Sequence, residues 1–434
     1  MSSKQAATRN EHLDPAFGPD GKGITWIDNG DAPSGYAKGV TVAPSNKENK
    51  LLIAGNSGSD FSVVRLNANG TQDKDFGNNG IVTGKFAPGN GGSQGESITV
   101  LQSGEFLLKG FFFKEQDSPP QLGLALFDSK GSPIKEFGND GVTVVHPLSP
   151  SSFKLPAVKQ EPKSTPTTSQ NGFSLELPDG KLMVMSNHLY SYDDGVGLLI
   201  RLERNGALDL TFGDGTGYVI IQCIDHFTTA NSLIRLTDGT FAVAGLVYKD
   251  ETNIGMIALY SAEGKPVASF GDEGFVLLES IGDTSEIFTI TQMDNGNILG
   301  IGSVRVGVQK GLLVCLDTNG VPVRDFNKGE PVLTPNDFVR LSTQWVSGTV
   351  RADRIVTIGT TLGLANTQII IAKFHLNGEL DHKFGNEQGL LRIDLTDKID
   401  IGQSIDIQEN QIVAVGFSLP TENGVSSFAL RCLG

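Results

Sequence analysis

Residues 66–83 read LNANGTQDKDFGNNGIVT, and a similar stretch in which Phe is followed by Gly or Asn recurs along the whole 434-residue chain. Five of the six intervals between successive copies are 56 to 61 residues long, and the remaining interval is 75 residues. A nearly fixed period of this kind indicates one structural unit repeated along the chain. The phenylalanines of the seven copies are Phe17, Phe76, Phe137, Phe212, Phe270, Phe326 and Phe384.

The unit around Phe76 contains four short runs rich in apolar and β-branched residues, which we call a, b, c and d. They cover residues 36–43, 51–55, 61–66 and 81–83. Gly, Asn and Asp separate the runs, and this pattern is typical of β-strands joined by turns. In later units run b follows a dipeptide such as Asp179-Gly180, which favours a tight hairpin because the turn requires positive φ.

The two ends of the chain complement each other. The first Phe-Gly copy, within residues 11–23, follows no runs a to c, and the last runs, at residues 403–408, 411–416 and 426–432, precede no Phe-Gly copy. Residues 23–28 can therefore supply strand d of the final sheet. The sequence predicts an all-β, seven-bladed β-propeller of four-stranded antiparallel blades, whose ring is closed when the N-terminal strand joins the C-terminal blade.

The predicted propeller forms a single domain over residues 1–434. We number its blades from the one that contains residues 36–83. Residues 1–10 are predicted to be a flexible N-terminus, and residues 147–172 a flexible insertion between blades 2 and 3 that accounts for the 75-residue interval.

Two features of the repeated motif suggest structural roles. Gly follows the Phe in six copies and Asn327 in the seventh, as expected for a left-handed turn, and the Phe is predicted to fill the gap between neighbouring sheets. An Asp stands three residues before the Phe in four copies, whereas Ile or Val stands there in the others. Such alternation favours a turn-forming Asp over a catalytic one. The Asp residues are Asp14, Asp73, Asp209 and Asp381.

Copies such as residues 66–83 and LERNGALDLTFGDGTGYV at 202–219 resemble the bacterial delta-60 repeat, a β-propeller motif. The resemblance extends over residues 11–434. It implies the propeller fold, and it implies neither a shared activity nor catalytic residues. This chain departs from the motif at Asn327, in the three copies without Asp, and in the insertion of the third unit.

The composition of the chain disfavours two classes of protein, nucleic-acid-binding proteins and membrane-spanning proteins. A formal net charge of −15 without a basic stripe disfavours nucleic-acid binding, and no apolar run is long enough to predict a membrane span. The N-terminal residues lack an apolar signal region, so the expected location is the cytoplasm, or outside the cell after export without an ordinary signal peptide. Three cysteines make no disulfide framework, and we expect them to be buried or partly buried, with Cys315 and Cys432 at equivalent positions of strand c.

Consecutive strands alternate in direction, so the a–b and c–d connections share one end of the ring and the b–c and d–a connections share the other. The first set is uniform and the second is varied. Because varied loops on a rigid scaffold usually carry binding sites, we predict that the b–c and d–a face carries the function. The leading hypothesis is a non-catalytic recognition propeller that binds a protein or glycan partner there, with its oligomeric state left open.

Candidate ligand-binding residues come from residues 187–195, NHLYSYDDG, interpreted as the b–c loop of blade 3. Aromatic surface combined with hydrogen-bonding groups suits a sugar or a peptide, although an ordinary polar hairpin has the same composition. The candidates are His188, Tyr190, Tyr192 and Asp193.

The alternative hypothesis is a hydrolase or lyase with an acidic and histidine site at the channel mouth. Its candidate catalytic residues are His188, Asp194, Asp225 and His226, since His and carboxylate groups can act as base and acid. A purely structural or assembly role is a third possibility.

Most d–a connections also carry a carboxylate. A ring of such groups would attract a divalent cation, but the favoured interpretation is that they are solvated carboxylates of turns. We therefore predict no cofactor and no metal site. The carboxylates are Asp31, Glu96, Asp225, Asp283, Asp337 and Asp397.

Overall fold

The computed structural model describes most of the chain, and for residues 189–191, 194–195, 362 and 420–421 the description covers the backbone alone. The described residues are 12–27, 35–43, 49–115, 119–146, 174–191, 194–223, 226–334, 342–351, 353–362, 366–385, 389–396, 398–421 and 424–433.

The strands form seven four-stranded antiparallel sheets, which confirms the predicted all-β, seven-bladed propeller. Blade 1 contains β2 (Ala37–Ala43), β3 (Lys50–Ser57), β4 (Asp60–Leu66) and β5 (Ile81–Gly84). Blade 2 contains β6 (Gly92–Val100), β7 (Phe106–Phe113), β8 (Gln121–Phe127) and β9 (Val142–Val145). Blade 3 contains β10 (Ser174–Glu176), β11 (Leu182–Ser191), β12 (Asp194–Leu202) and β13 (Tyr218–Ile221).

The remaining blades follow the same order from the channel outward. Blade 4 contains β14 (Phe227–Arg235), β15 (Phe241–Lys249), β16 (Thr252–Tyr260) and β17 (Phe275–Leu277). Blade 5 contains β18 (Thr284–Gln292), β19 (Ile298–Val306), β20 (Val308–Leu316) and β21 (Val332–Leu333), with a one-turn 3-10 helix at Asn327–Gly329. Blade 6 contains β22 (Ser342–Arg351), β23 (Arg354–Leu362), β24 (Gln368–His375) and β25 (Leu390–Ile393).

Blade 7 closes the ring as predicted. It contains β26 (Ile399–Gln408), β27 (Gln411–Thr421) and β28 (Gly424–Cys432) from the C-terminus, and its outermost strand is β1 (Ile24–Trp26) from the N-terminus. β1 pairs antiparallel with β28, with Ile24 opposite Leu430 and Trp26 opposite Phe428. Among the described residues, no helix is long and apolar enough to cross a membrane.

The core consists of seven apolar clusters, each between two neighbouring blades and each containing one motif phenylalanine. Phe17 and Phe76, for example, are fully buried in the clusters on either side of blade 1. Burial of one phenylalanine side chain stabilises the fold by roughly 1.5–3 kcal/mol. The prediction that the motif phenylalanines fill the gaps between sheets is confirmed.

In five copies the motif also fastens its blade to the next through a backbone hydrogen bond. The N–H of Gly18 donates to the carbonyl of Asn69 over 2.8 Å, and Gly138 makes the same bond to Asn205. For five of the motif phenylalanines, a glycine of the following blade lies against the ring, so a Cβ added to Gly70 would come within 2.8 Å of Phe17. Asn327 has a φ of 43°, in the left-handed region expected for it.

One expectation about the cysteines is wrong. In blade 5 Cys315 lies opposite Leu299 and Leu316 opposite Ile298, whereas in blade 7 Cys432 lies opposite Ile412. Leu316 is therefore the counterpart of Cys432, and Cys315 is displaced by one residue. A one-residue displacement reverses the face of the sheet that a side chain occupies. Cys315 and Cys432 are buried and Cys223 is partly buried, as expected.

Candidate functional site: the two ends of the ring and the channel

We call the end that carries the a–b turns and the Phe-Gly segments the motif end, and the end that carries the b–c hairpins and d–a connections the hairpin end. At the motif end, the Asp of the repeated motif is buried and fully engaged. Asp73 accepts bonds from Arg65 Nε over 2.6 Å and Lys50 Nζ over 2.8 Å, and from the N–H of Asp75 over 3.3 Å. The predicted turn-forming role is confirmed, and an ion pair accompanies it.

The ion pair follows a rule of spacing within the chain. Where the motif has Asp, the strand-c residue eight positions earlier is basic, as in Arg65 and Asp73; where the motif has Ile or Val, that residue is apolar. In blade 7 the basic residue is Arg431 near the C-terminus, and it pairs with Asp14 of the N-terminal motif copy. These side chains therefore have structural partners. The residues eight positions apart are Arg65 and Asp73, Arg201 and Asp209, and Lys373 and Asp381, against Leu126 and Ile134, Leu259 and Val267, and Cys315 and Val323. In blade 6 the ion-pair partner of Asp381 is Arg354 of strand b, over 2.8 Å.

The ion pairs hold these carboxylates ionised. Burial alone would raise the pKa of Asp209, but hydrogen bonds from Lys181, Thr211 and Arg201 hold that pKa far below its usual range. Arg201 also lies over the ring of Phe212, with 4.6 Å between the guanidinium carbon and the ring centre. The basic residue thus links the turn to the phenylalanine of its own motif.

At the hairpin end, residues 187–191 and 194–195 belong to strands and not to a loop. β11 continues through Ser191 and β12 begins at Asp194, because the hydrogen-bonded ladder extends to the tip of the hairpin. His188 is therefore a strand residue opposite Val196, and its side chain is only 7% exposed. Burial, together with the nearby His146, lowers the pKa of His188 to about 4, so the imidazole is neutral at neutral pH.

The other candidates are only partly described. Tyr190 lies in β11 and Asp194 in β12, while Tyr192, Asp193 and Asp225 lie outside the described residues. His226 is partly buried, and its N–H donates to the carbonyl of Cys223 over 3.0 Å. Within the described part of the chain, the geometry that bears on these candidates is the proximity of His188 to His146.

The innermost strands carry a feature that the sequence analysis missed. In six of them, one extra residue forms a β-bulge at the same place, near the middle of the channel wall. Successive side chains of a strand point to opposite faces of the sheet, and the extra residue of a bulge interrupts this order. A search of the sequence for alternating apolar and polar residues therefore does not reveal the bulge. The bulged residues are Lys38, Glu96, Asn231, Phe288, Val346 and Gln403.

Glu96 was expected among the solvated carboxylates of the d–a connections, and this is wrong. It occupies the bulge of β6, is 4% exposed, and lies 3.5 Å from Nζ of Lys109, which is 2% exposed. Burial raises the pKa of Glu96 against the attraction of Lys109 and Lys38, and lowers the pKa of both lysines. The six other strands b have an apolar residue in place of Lys109: Ala54, Met185, Ala244, Ile301, Ile358 and Val415.

The remaining carboxylates form no common site in the described structure. Asp283 is exposed, and its N–H donates to the carbonyl of Arg305 over 2.8 Å. Across the described ranges, no group of three His, Cys, Asp or Glu side chains is arranged to hold a metal ion. Asp31, Asp225, Asp337 and Asp397 lie outside the described residues.

A second carboxylate faces the bulge layer. Glu286, in β18, accepts a bond from Nδ2 of the bulged Asn231 over 2.8 Å, and the same amide nitrogen donates to the carbonyl of Ile287 over 2.9 Å. Burial raises the pKa of Glu286 to about 7, although the bond from Asn231 opposes the shift. Its charge therefore changes near neutral pH.

The channel contains a cavity of about 640 Å³. All seven innermost strands line it, from the bulge layer at Glu96 to the a–b turn at Gln102, so it occupies the half of the channel nearer the motif end. Several wall hydroxyls already join neighbouring blades; Thr99 Oγ1, for example, donates to the carbonyl of Ser174 over 2.8 Å. The wall combines hydroxyl-bearing and apolar side chains, and several of its hydroxyl groups are already hydrogen-bonded within the ring.

Comparisons with known proteins agree with the propeller architecture. A family model described as a domain of unknown function (DUF5122) β-propeller matches residues 49–76, in blade 1. No curated protein matches the chain.

Solved structures resemble the chain over most of its length at low identity. The polysaccharide lyase Uly1 is 11% identical, with 93% of this chain and 91% of that chain covered and a TM-score of 0.46. Drosophila Semaphorin 2a is 11% identical, with coverage of 92% and 73% and a TM-score of 0.49. The Nup133 β-propeller domain of Vanderwaltozyma polyspora is 11% identical, with coverage of 94% and 97% and a TM-score of 0.39. At such identity the likeness concerns the fold alone.

Proposed function

We propose that the chain is a non-catalytic recognition module that binds a protein or glycan partner through its hairpin end. The observation that carries this proposal is the difference between the two ends of the ring. At the motif end, three features recur in several blades: the backbone hydrogen bond from the motif glycine to the next blade, the buried phenylalanine and the ion pair. At the hairpin end, the b–c segments differ in sequence from blade to blade, and the described tips of blades 4 and 5 differ in chemistry on a rigid scaffold.

Two neighbouring hairpins illustrate the contrast. The tip of blade 4 contains Asp250 and Glu251, both with positive φ, and is acidic. The tip of blade 5 contains Gly307 between Val306 and Val308, which are 42% and 45% exposed. In this proposal the two valines of blade 5 and the charged tip of blade 4 form part of the surface that contacts the partner.

The aromatic residues of blade 3 supply a further recognition element in this proposal. Tyr190 lies in β11, and Tyr192 follows it two positions later in the sequence. A tyrosine ring combines apolar area with a hydrogen-bonding hydroxyl. We also assign the seven units to the delta-60 type of propeller repeat, on the strength of the Phe-Gly motif that recurs in each.

The test uses two probe sets, a glycan array and a random-peptide display library, with the purified full chain. Binders found with the wild type are measured against Tyr190→Ser/Tyr192→Ser and Val306→Ser/Val308→Ser at the hairpin end. The matched control is Leu210→Ser/Val321→Ser, two exposed positions of the motif segments. We expect at least a tenfold loss of affinity in one hairpin-end variant and none in the control. Binders that depend on Leu210 and Val321 would contradict the proposal.

The competing hydrolase or lyase hypothesis predicts a different result. Turnover of chromogenic glycosides, esters or uronate polymers that is lost in His188→Gln, with the fold retained, would replace recognition by catalysis. A wild type that turns over none of them, yet binds through the hairpin end, supports the recognition module.

A further inference from the structure

The clusters between blades share a component that comes from the outermost strands. In six of the seven, the first residue of a strand d contributes an apolar side chain that packs against the cluster shared with the preceding blade. Each of these residues also lies opposite a fixed position of strand c. They are Ile24, Ile81, Val142, Tyr218, Phe275 and Leu390.

Blade 5 departs from this pattern. β21 contains two residues, with Leu333 opposite Leu312 and Val332 opposite Leu313, so the preceding residue, Pro331, stands where the other blades have the apolar side chain. Pro lacks an N–H and cannot extend the ladder by a further pair. The motif of this blade also differs in sequence, because Asn327 replaces the usual glycine. Residues Asn327–Gly329 form a 3-10 turn there.

A backbone bond is also missing at this point. In blade 1 the N–H of Arg65 donates to the carbonyl of Gly80 over 3.0 Å, and blades 2, 3, 4 and 6 make the equivalent bond to Gly141, Gly217, Gly274 and Gly389. Among the described backbone hydrogen bonds, Cys315 has no such bond to the segment before β21. The outer edge of β20 is therefore less completely covered than the same edge in the other blades.

A cavity of about 450 Å³ lies at this position, between blades 4 and 5. We call it the Pro331 pocket. Blade 4 contributes residues 276–281 to its wall, and blade 5 contributes residues 314–316 together with Pro322, Phe326 and Pro331. The wall is mainly apolar. Of its two carboxylates, Glu330 is exposed at the rim and Glu279 is paired with Lys249 over 2.5 Å.

We propose that the Pro331 pocket binds a small uncharged ligand through an aromatic or branched aliphatic group. The occupants of the same place in the other blades define the chemistry, since Phe275 and Tyr218 are aromatic and Ile81, Val142 and Leu390 are branched aliphatic. The pocket falls within the size range of small-molecule sites. A charged group would lose its hydration against the apolar part of this wall, and an anionic group would in addition face the carboxylates of Glu279 and Glu330.

The experiment titrates the purified full chain with N-phenyl-1-naphthylamine, an uncharged aromatic dye, and then displaces the dye with toluene. We expect saturable binding of one dye per chain and competitive displacement. Pro331→Ile and Pro331→Phe introduce the residues of blades 1 and 4 and should weaken binding at least tenfold. The Ile variant should also melt at a higher temperature than the wild type. Pro133→Ile, at an exposed motif proline of blade 2, should bind like the wild type.

A second variant covers the case in which substitution of Pro331 disturbs the fold. Ile281→Phe fills the pocket from blade 4 and leaves blade 5 unchanged, and it should give the same loss of affinity with an intact circular dichroism spectrum. Dye binding that does not saturate would overturn the proposal. Full affinity in the folded filling variants would overturn it as well.

Discussion

Arg431 Nε donates to Oδ2 of Asp14 over 2.8 Å, and this ion pair joins the last strand of the chain to the first described turn. Asp14 also accepts a bond from Gln411, and the N–H of Asp14 donates to the carbonyl of Arg431. The arrangement is the same as that of Arg65 and Asp73 within blade 1. The ring is therefore closed by the same interaction that stabilises a single blade. Blade 7, whose strands come from both ends of the chain, has the same Arg–Asp pair as blade 1, whose strands are consecutive.

If the spacing rule holds, replacing all residues of the ionic version of the motif with those of the apolar version should preserve most of the stability of the fold, whereas replacing one of them alone should not. Arg201→Leu alone removes one of the two basic partners of the buried Asp209 and should destabilise the fold by about 2–4 kcal/mol. Arg201→Leu/Asp209→Val/Lys181→Thr copies the blade 4 combination of Leu259, Val267 and Thr240 and should recover at least half of that loss. Urea unfolding of the two variants measures the difference. A triple variant no more stable than the single one would contradict the rule.

The buried pair of Glu96 and Lys109 should behave in the same way. Lys109→Met removes the closest partner of a buried carboxylate and should destabilise the fold by about 2–4 kcal/mol, whereas Lys109→Met/Glu96→Gln should recover most of the loss. The control is Ile301→Met, the same position in blade 5, which should cost below about 1.5 kcal/mol. Equal stability of Lys109→Met and the control would show that the pair contributes nothing.

The contact between glycine and phenylalanine across blades can be separated from the cost of positive φ. Gly264 and Gly296 have φ of 84° and 88°, but a Cβ on Gly264 would come within 2.6 Å of Phe212, while a Cβ on Gly296 would meet nothing within 4 Å. Gly296→Ala should cost about 1 kcal/mol. Gly264→Ala should cost at least about 1 kcal/mol more, because it displaces the phenylalanine. Equal melting temperatures would argue against the packing role.

Glu286 gives a pH dependence with a definite sign. Burial raises the pKa of its carboxyl to about 7 in the folded chain, from 4.5 for the free group, so the folded state retains a proton that the unfolded state releases. Stability from this group is complete below about pH 4.5 and declines as the pH rises towards 7. Glu286→Gln keeps an acceptor for Asn231. It should match the wild type at pH 4.5 and exceed it by about 1–2 kcal/mol at pH 8. Identical stability differences at both pH values would contradict this assignment.

The fold was predictable because its signals are local and repeated. The Asn-Gly and Asp-Gly turns and the Phe-Gly segments recur in fixed order, and the unmatched segments at the two termini indicated the closing strand. The ion pairs were predictable in principle from the spacing of eight residues between Arg65 and Asp73 and between Arg201 and Asp209. The basic partner lies in strand c and not in the turn, so the pattern of the Asp residues alone does not reveal it.

The candidate site was harder to predict because long hairpins and bulges leave little trace in a sequence. Polar residues in β11 looked like a loop, since Asn187 and His188 interrupt the apolar pattern. In the structure Asn187 instead makes two bonds to the backbone of Ala230 in the next blade. Glu96 looked like a loop carboxylate for a related reason, because one bulged residue shifts the register of the whole strand.

The central claim is that recognition takes place at the hairpin end. The measurement that tests it most directly is the affinity of a binder selected against the wild type, compared between Tyr190→Ser/Tyr192→Ser, Val306→Ser/Val308→Ser and the motif-end control Leu210→Ser/Val321→Ser, all with unchanged melting curves. The account predicts at least a tenfold loss in a hairpin-end variant and wild-type affinity in the control. A loss confined to the motif-end control would contradict it.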